Sequence, residues 1–178
     1  MNHHKTDENL TLAEKYMDRG DFDKALSYYE KAAEEAKDPT AINAAMQLIR
    51  DYQNADDYVD NEQYTEAIAA LKQLRDRVTD KDSTMYKSIE DLLSKAQSAQ
   101  SDSTFASDLE EAQGYLEDDK LDAASGKLDS LEQDSSLTDE QRKQVEDMKN
   151  KLQSAKDSAQ QQQENEQKKS ERRQEFSS

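Results

Sequence analysis

Any chemistry in this chain has to come from carboxylates, because other reactive side chains are almost absent. It has 41 Asp and Glu residues, two His and no Cys. His3 and His4 are adjacent near the N-terminus, where they do not converge on one ion as helical i, i+4 ligands do. No metal site is expected from them. Glu117, Asp118, Asp119 and Asp122 crowd one turn, but they lack the Asp-x-Asp-x-Asn-Gly loop and distal Glu of a calcium site. A solvated turn is expected there. Carboxylates do general acid–base work when desolvation moves their pKa values. A chain with 33% hydrophobic residues has little apolar mass to close a pocket around them. There is no Gly-rich phosphate loop, no Gly-x-Ser-x-Gly, and no His for a triad outside the N-terminal pair. The chain is expected to be non-catalytic and to carry no cofactor or metal.

The carboxylates then matter for binding. A net charge of −17 repels phosphate backbones and anionic lipid headgroups, so neither nucleic acid nor direct membrane insertion is expected. A basic protein or peptide partner fits better. The competing reading is that acidity only keeps an exposed helical array in solution.

The elements that would position these groups are helices. The chain has 178 residues with 3 Gly and 1 Pro, few breakers against abundant Ala, Glu, Lys, Gln and Leu. Its 37% charged content suits an elongated helical array with a thin core. No apolar run approaches the ~20 residues that span a bilayer. The polar start, Met1 to Asn9, has no h-region, so no leader is expected in this chain. A cytoplasmic location is the default expectation. The alternative is an extracytoplasmic domain of a bacterial envelope protein whose leader or anchor lies outside this chain.

Three stretches share the spacing small-x2-Tyr-x5-large-x2-Ala. They are Ala13, Tyr16, Phe22, Ala25; Ala55, Tyr58, Tyr64, Ala67; and Ala112, Tyr115, Leu121, Ala124. Tyr29 and Ala32, Leu71 and Leu74, and Leu128 and Leu131 follow at matching offsets. Such a pattern marks antiparallel helix pairs that bury their apolar faces by stacking on neighbours.

Period and punctuation predict eight helices. The first four cover about Asp7–Arg19, Asp21–Lys37, Thr40–Asp60 and Gln63–Val78. A fifth carries the stripe Met85, Tyr86, Ile89, Leu92, Leu93 and Ala96, capped by Asp82 or Ser83. A polar break at Ser101–Ser103 precedes a sixth helix to about Asp118, and the seventh covers Leu121–Glu132. Thr138 and Gln141 form a capping box for the eighth, with the narrow stripe Val145, Met148, Leu152 and Ala155. The expected organisation is a disordered tail over 1–6, one helical domain over 7–158, and a frayed or disordered polar tail over 159–178.

The repeated stretches resemble tetratricopeptide repeats. In the first unit Ala13, Tyr16, Gly20, Asp21, Phe22, Asp23, Ala25, Tyr29 and Ala32 fall where that family places similar residues, and Gly20–Ala25 resembles its inter-helix turn. The second unit has Glu62 at the turn glycine, and the third has Asp119 there with Leu121 for the aromatic. The family's repeat is about 34 residues, whereas Ala13 to Ala55 spans 42 and Ala55 to Ala112 spans 57. A lengthened third helix accommodates the first excess, and an inserted helix the second. The resemblance implies an all-α fold, a short and irregular solenoid of antiparallel hairpins. An unrelated helical bundle with convergent hairpins is the alternative.

The resemblance also implies a concave face lined by the first helix of each pair. Those positions are Leu10, Glu14, Met17 and Asp18; Tyr52, Asp56, Val59 and Asp60; and Leu109, Gln113, Leu116 and Glu117. They alternate apolar and acidic, without the Lys, Asn and Arg with which the family's chaperone-tail binders clamp a carboxylate. The expectation is a groove for an apolar segment flanked by Lys or Arg, in an adaptor or scaffold protein. Two other readings stand beside it. The apolar positions pack between repeats or under the inserted helix, or the chain is a self-associating or envelope-tethered spacer.

Overall fold

The computed structural model describes the backbone over residues 3–177 and side chains over residues 5–177. Among the described residues there are seven α-helices and no strand: α1 His3–Arg19, α2 Phe22–Glu35, α3 Thr40–Asp60, α4 Tyr64–Arg77, α5 Thr84–Glu117, α6 Leu121–Glu132 and α7 Asp139–Ser177. The all-helical class expected from composition is therefore present.

The three repeated patterns build one turn three times. Gly20, Glu62 and Asp119 all adopt positive φ, at 77°, 60° and 59°. In each turn the left-handed residue donates its N–H to the carbonyl three residues back, at Met17, Val59 and Leu116. The following residue donates five residues back, to Tyr16, Tyr58 and Tyr115, at 2.8–2.9 Å. This pair of bonds is the Schellman closure, which satisfies the orphan carbonyls of a helix end. All six repeated alanines, Ala13, Ala25, Ala55, Ala67, Ala112 and Ala124, are fully buried. The lack of side-chain bulk there lets the two helices of each hairpin approach closely.

Two of the three turns hold a side chain where the backbone favours glycine. A left-handed conformation costs a non-glycine residue roughly 1–2 kcal/mol, partly offset because glycine loses more freedom on folding. Glu62→Gly and Asp119→Gly should each stabilise the protein by about 0.5–1 kcal/mol. Gly20→Ala should destabilise it by about 1 kcal/mol. An added Cβ at Gly20 would meet Thr84 Cγ2 at an ordinary 3.6 Å, so the cost there is backbone strain. Urea midpoints of the three variants check the signs.

Caps fix the remaining helix starts. Thr138 and Gln141 bond reciprocally, Gln141 N–H to Thr138 Oγ1 at 3.1 Å and Thr138 N–H to Gln141 Oε1 at 3.0 Å, so the capping box opens α7. Ser83 Oγ accepts from Tyr86 N–H and starts α5. Asp38 takes both the N–H and the hydroxyl of Thr40 ahead of α3, and these bonds hold its carboxyl below the usual range.

The chain resolves into two compact units that meet between Ser101 and Asp102. The first contains α1–α4 and the first half of α5. In it α2 and α3 run antiparallel, joined by Glu30–Arg50 at 3.4 Å and by Gln53 to Asp23 at 2.6 Å. Arg77 reaches Asp51 across α3 and α4 at 2.5 Å. Gln100 to Thr65 and Arg75 to Glu90 set α5 antiparallel to α4. Met85, Ile89, Leu92, Leu93 and Ala96 enter the same core as α1–α4. The second unit packs the rest of α5 with α6 and α7 around Phe105, Leu128, Leu131, Val145, Met148 and Leu152. Lys127 of α6 bridges Asp108 and Glu111 of α5 at 3.0 and 3.1 Å, and Lys149 of α7 pairs with Asp129 and Glu132 of α6.

Three sequence expectations differ from this arrangement. The break at Ser101–Ser103 is continuous helix, which makes seven helices of the expected eight. Ser and Asp are only modest helix formers, and without Gly or Pro nothing stops the ladder. The stretch from Gln97 to Thr104 is almost wholly polar, so it interrupts the core instead, and the expected single domain over 7–158 becomes two units. At the ends, the segments expected as tails are helical among the described residues. Helix α1 begins at His3 and Thr6 is buried; the Met1 and Asn2 part of that expectation lies outside the described residues. Helix α7 continues through Ser177. Beyond Lys156 it is exposed on every face, carried by the helix propensity of Gln, Glu, Lys and Arg rather than by packing.

Candidate binding cleft

The twelve positions singled out in sequence divide between the units. Leu10, Glu14, Met17 and Asp18 on α1, and Tyr52, Asp56, Val59 and Asp60 on α3, belong to the first. Leu109, Gln113, Leu116 and Glu117 on α5 belong to the second. Val59 is only 6% exposed and is part of the core. Leu10 and Met17 are half-buried against that core, and Leu109 and Leu116 likewise against the second. Gln113 donates to Glu117 along its own helix at 3.3 Å. Most of the apolar members thus spend their surface inside the units, while Glu14, Asp18, Asp60 and Glu117 face solvent.

Tyr52 and Asp56 are brought together. They line an open cleft of about 500 Å³ with Arg19, Asp21, Asp23, Gln53 and Ser88, beside the Gly20 turn. The α1–α2 hairpin forms one wall because the Schellman turn projects Asp21 and Asp23 at the start of α2. Helix α3 supplies the floor through Tyr52 and Asp56, one helical turn apart. Helix α5 closes the far side with Ser88, held by the Thr84 hydroxyl donating to the Asp18 carbonyl at 2.8 Å. Phe22 packs edge-on against Tyr52, with ring centroids 5.1 Å apart, which fixes the tyrosine ring at the base.

The electrostatics of this cleft are lopsided. Asp56 is half-buried, and that desolvation pushes its carboxyl above the usual 3.8, with Asp60 and Asp57 pushing the same way and Lys95 opposing them. The Tyr52 hydroxyl is raised by burial and then by Asp56 and Asp91. A partly desolvated carboxylate among like charges is a site that gains from an incoming cation. Lys95 supplies only part of that compensation.

A second cleft, about 320 Å³, lies in the second unit against Glu132, Leu137, Arg142, Val145, Glu146 and Lys149. Its cations already have partners: Lys149 holds Asp129 and Glu132, and Arg142 donates to the Asp134 carbonyl. Among the described residues no group of His, Cys, Asp or Glu is arranged to hold a metal ion, and no helix is long and apolar enough to cross a membrane.

Sequence reasoning did not find Asp23, Gln53, Arg19 or Ser88. Gln53 and Asp23 are thirty residues apart, and no spacing rule links residues on different hairpins. A signal did exist for Asp23, which lies within the turn motif that opens α2.

What the fold and cleft define is an all-helical protein of short hairpins with an acidic, aromatic-floored surface cleft. Compared with models of known protein families, with curated proteins and with solved structures, the chain matches none.

Proposed function

We propose that this chain is a non-catalytic interaction scaffold of tetratricopeptide-like hairpins, whose first unit binds a basic amphipathic segment of a protein partner in the Tyr52–Asp56 cleft. The observation that carries the reading is the half-buried Asp56 carboxylate, crowded by Asp57 and Asp60 above an aromatic floor. A Lys or Arg entering there relieves repulsion and forms a charge-assisted hydrogen bond, while its neighbouring apolar side chain covers Tyr52. The three matching turns and six buried alanines support the hairpin-array part of the reading. The net charge of −17 supports the basic partner, since it steers cationic segments in and disfavours anionic ones.

Titrating a fluorescently labelled helical Lys/Leu peptide against the full chain tests this by anisotropy. Saturable binding that weakens with added salt is expected, and no saturable binding would refute it. The pH response has a definite sign. Asp56 is protonated more readily in the free protein than an ordinary Asp, because its pKa is raised above 3.8. A bound cation favours the ionised form, so binding releases a proton below that raised pKa. Affinity should fall as pH drops through the window above 3.8, and Asp56→Asn should flatten that part of the profile.

A further inference from the structure

The chain carries, at its own C-terminal end, the kind of segment the cleft accepts. Helix α7 advances 100° per residue, so Lys168, Arg172 and Phe176 lie along one line, with Lys169 and Arg173 beside it. All five fall within an arc of about 140°. Phe176 is 93% exposed. None of the four cations forms an ion pair among the described residues. Glu164, Glu171 and Glu175 form the adjoining stripe on one side, and Glu166 borders the arc on the other.

We infer that this basic, Phe-bearing face docks in the Tyr52–Asp56 cleft of a second copy of the chain, joining copies head to tail. The inference rests on the cleft reading above and names its partner. Charge complementarity selects a second copy. Lys168, Lys169, Arg172 and Arg173 stand against Glu171 alone over residues 168–173, in a chain whose net charge is −17. The cleft offers the half-buried Asp56 over an aromatic floor, with Asp21, which pairs with Lys24, and Asp23, which accepts from Gln53, adding negative charge at its wall. An anionic lipid surface suits the face less well, because membrane-lying helices set a broad apolar face beside their cations. Here the apolar part is one Phe, flanked by a stripe of glutamates. Two different surfaces make the contact heterologous, so copies add beyond two unless a ring closes.

The test is sedimentation velocity of the full chain over a broad concentration range. The wild type should gain mass with concentration and pass the dimer. Asp56→Lys with Asp60→Lys reverses the charge at and beside the cleft floor, and changing Lys168, Lys169, Arg172 and Arg173 to Gln removes the donor while keeping good helix formers. Each variant alone should stay monomeric, with unchanged circular dichroism. Mixed in equal amounts they should form a one-to-one pair and stop there, since one intact cleft and one intact tail remain. A wild type whose mass does not change with concentration, a Gln variant that still associates, or a mixture that stays monomeric would each overturn the inference. Tail-dependent cosedimentation with phosphatidylserine vesicles by a chain that does not self-associate would also overturn it. The labelled Lys/Leu peptide separates the two levels. If it binds the Gln variant while copies of the wild type do not associate, the tail inference fails and the cleft reading survives. If it binds neither protein, both fail.

Discussion

Ile89→Ala is expected to destabilise the first unit by about 2–5 kcal/mol, the range for emptying a fully buried aliphatic site. Ile89 is 0% exposed and packs in one core with α1–α4. The size of the effect separates two roles for the first half of α5. A helix that merely lies over a groove can lift away, and truncating one contact would then cost little. A helix integral to the core cannot relax around the lost methyl groups, so the full cavity cost is felt. For a unit of about 100 residues, each kcal/mol moves the melting point by about 4–8 °C. The expected fall is therefore at least about 8 °C, readable by circular dichroism at 222 nm. Ile89→Val, which leaves most of the volume filled, should cost only about 0.5–1.5 kcal/mol. The pair together shows that packing, not a secondary-structure effect, is being measured.

Asp56→Lys is expected to weaken binding of the basic peptide at least tenfold. A hydrogen bond to a charged group contributes about 1.5–3 kcal/mol, and each 1.4 kcal/mol is a factor of about ten in affinity. The lysine also places a like charge against the incoming cation, so the loss exceeds that of Asp56→Asn. Fold damage is not expected to account for it. Asp56 is near the C-terminal end of α3, where a cation is favourable to the helix dipole, and the substitution trades the repulsion from Asp57 and Asp60 for repulsion from Lys95. Little change in stability alongside lost binding would identify Asp56 as a residue held for its partner.

The repeated residues were the most legible part of this chain. Ala13, Ala55 and Ala112 with their partner alanines predict close helix pairs, and all are fully buried. The turns after Tyr16, Tyr58 and Tyr115 follow from the same spacing, although Glu62 and Asp119 hide two of them from a search for glycine. The capping box at Thr138 and the bounds of α3 were equally readable, because caps and helix periods are local physics. What escaped was long-range. Ser101-Asp102-Ser103 looks like a boundary because it is polar, yet polarity ends a core without ending a helix. Val59 has the right spacing for a groove but lies in the core, since an apolar stripe does not reveal which neighbour covers it. Tyr52 and Asp56 were found as types, while the wall provided by Asp23, Gln53 and Ser88 depends on packing between hairpins. The helical extension of α7 is carried by propensity alone, and composition reads such a segment as a tail.

In the proposed mode of binding, Asp56 selects a cation in a cleft of the first unit. A charge swap tests it most directly: wild type and Asp56→Lys are each titrated with the Lys/Leu peptide and with a Glu/Leu peptide of the same length. The wild type should prefer the basic peptide and Asp56→Lys should lose that preference, binding the acidic peptide more tightly than the wild type does. Equal affinity of both proteins for the basic peptide would contradict the account.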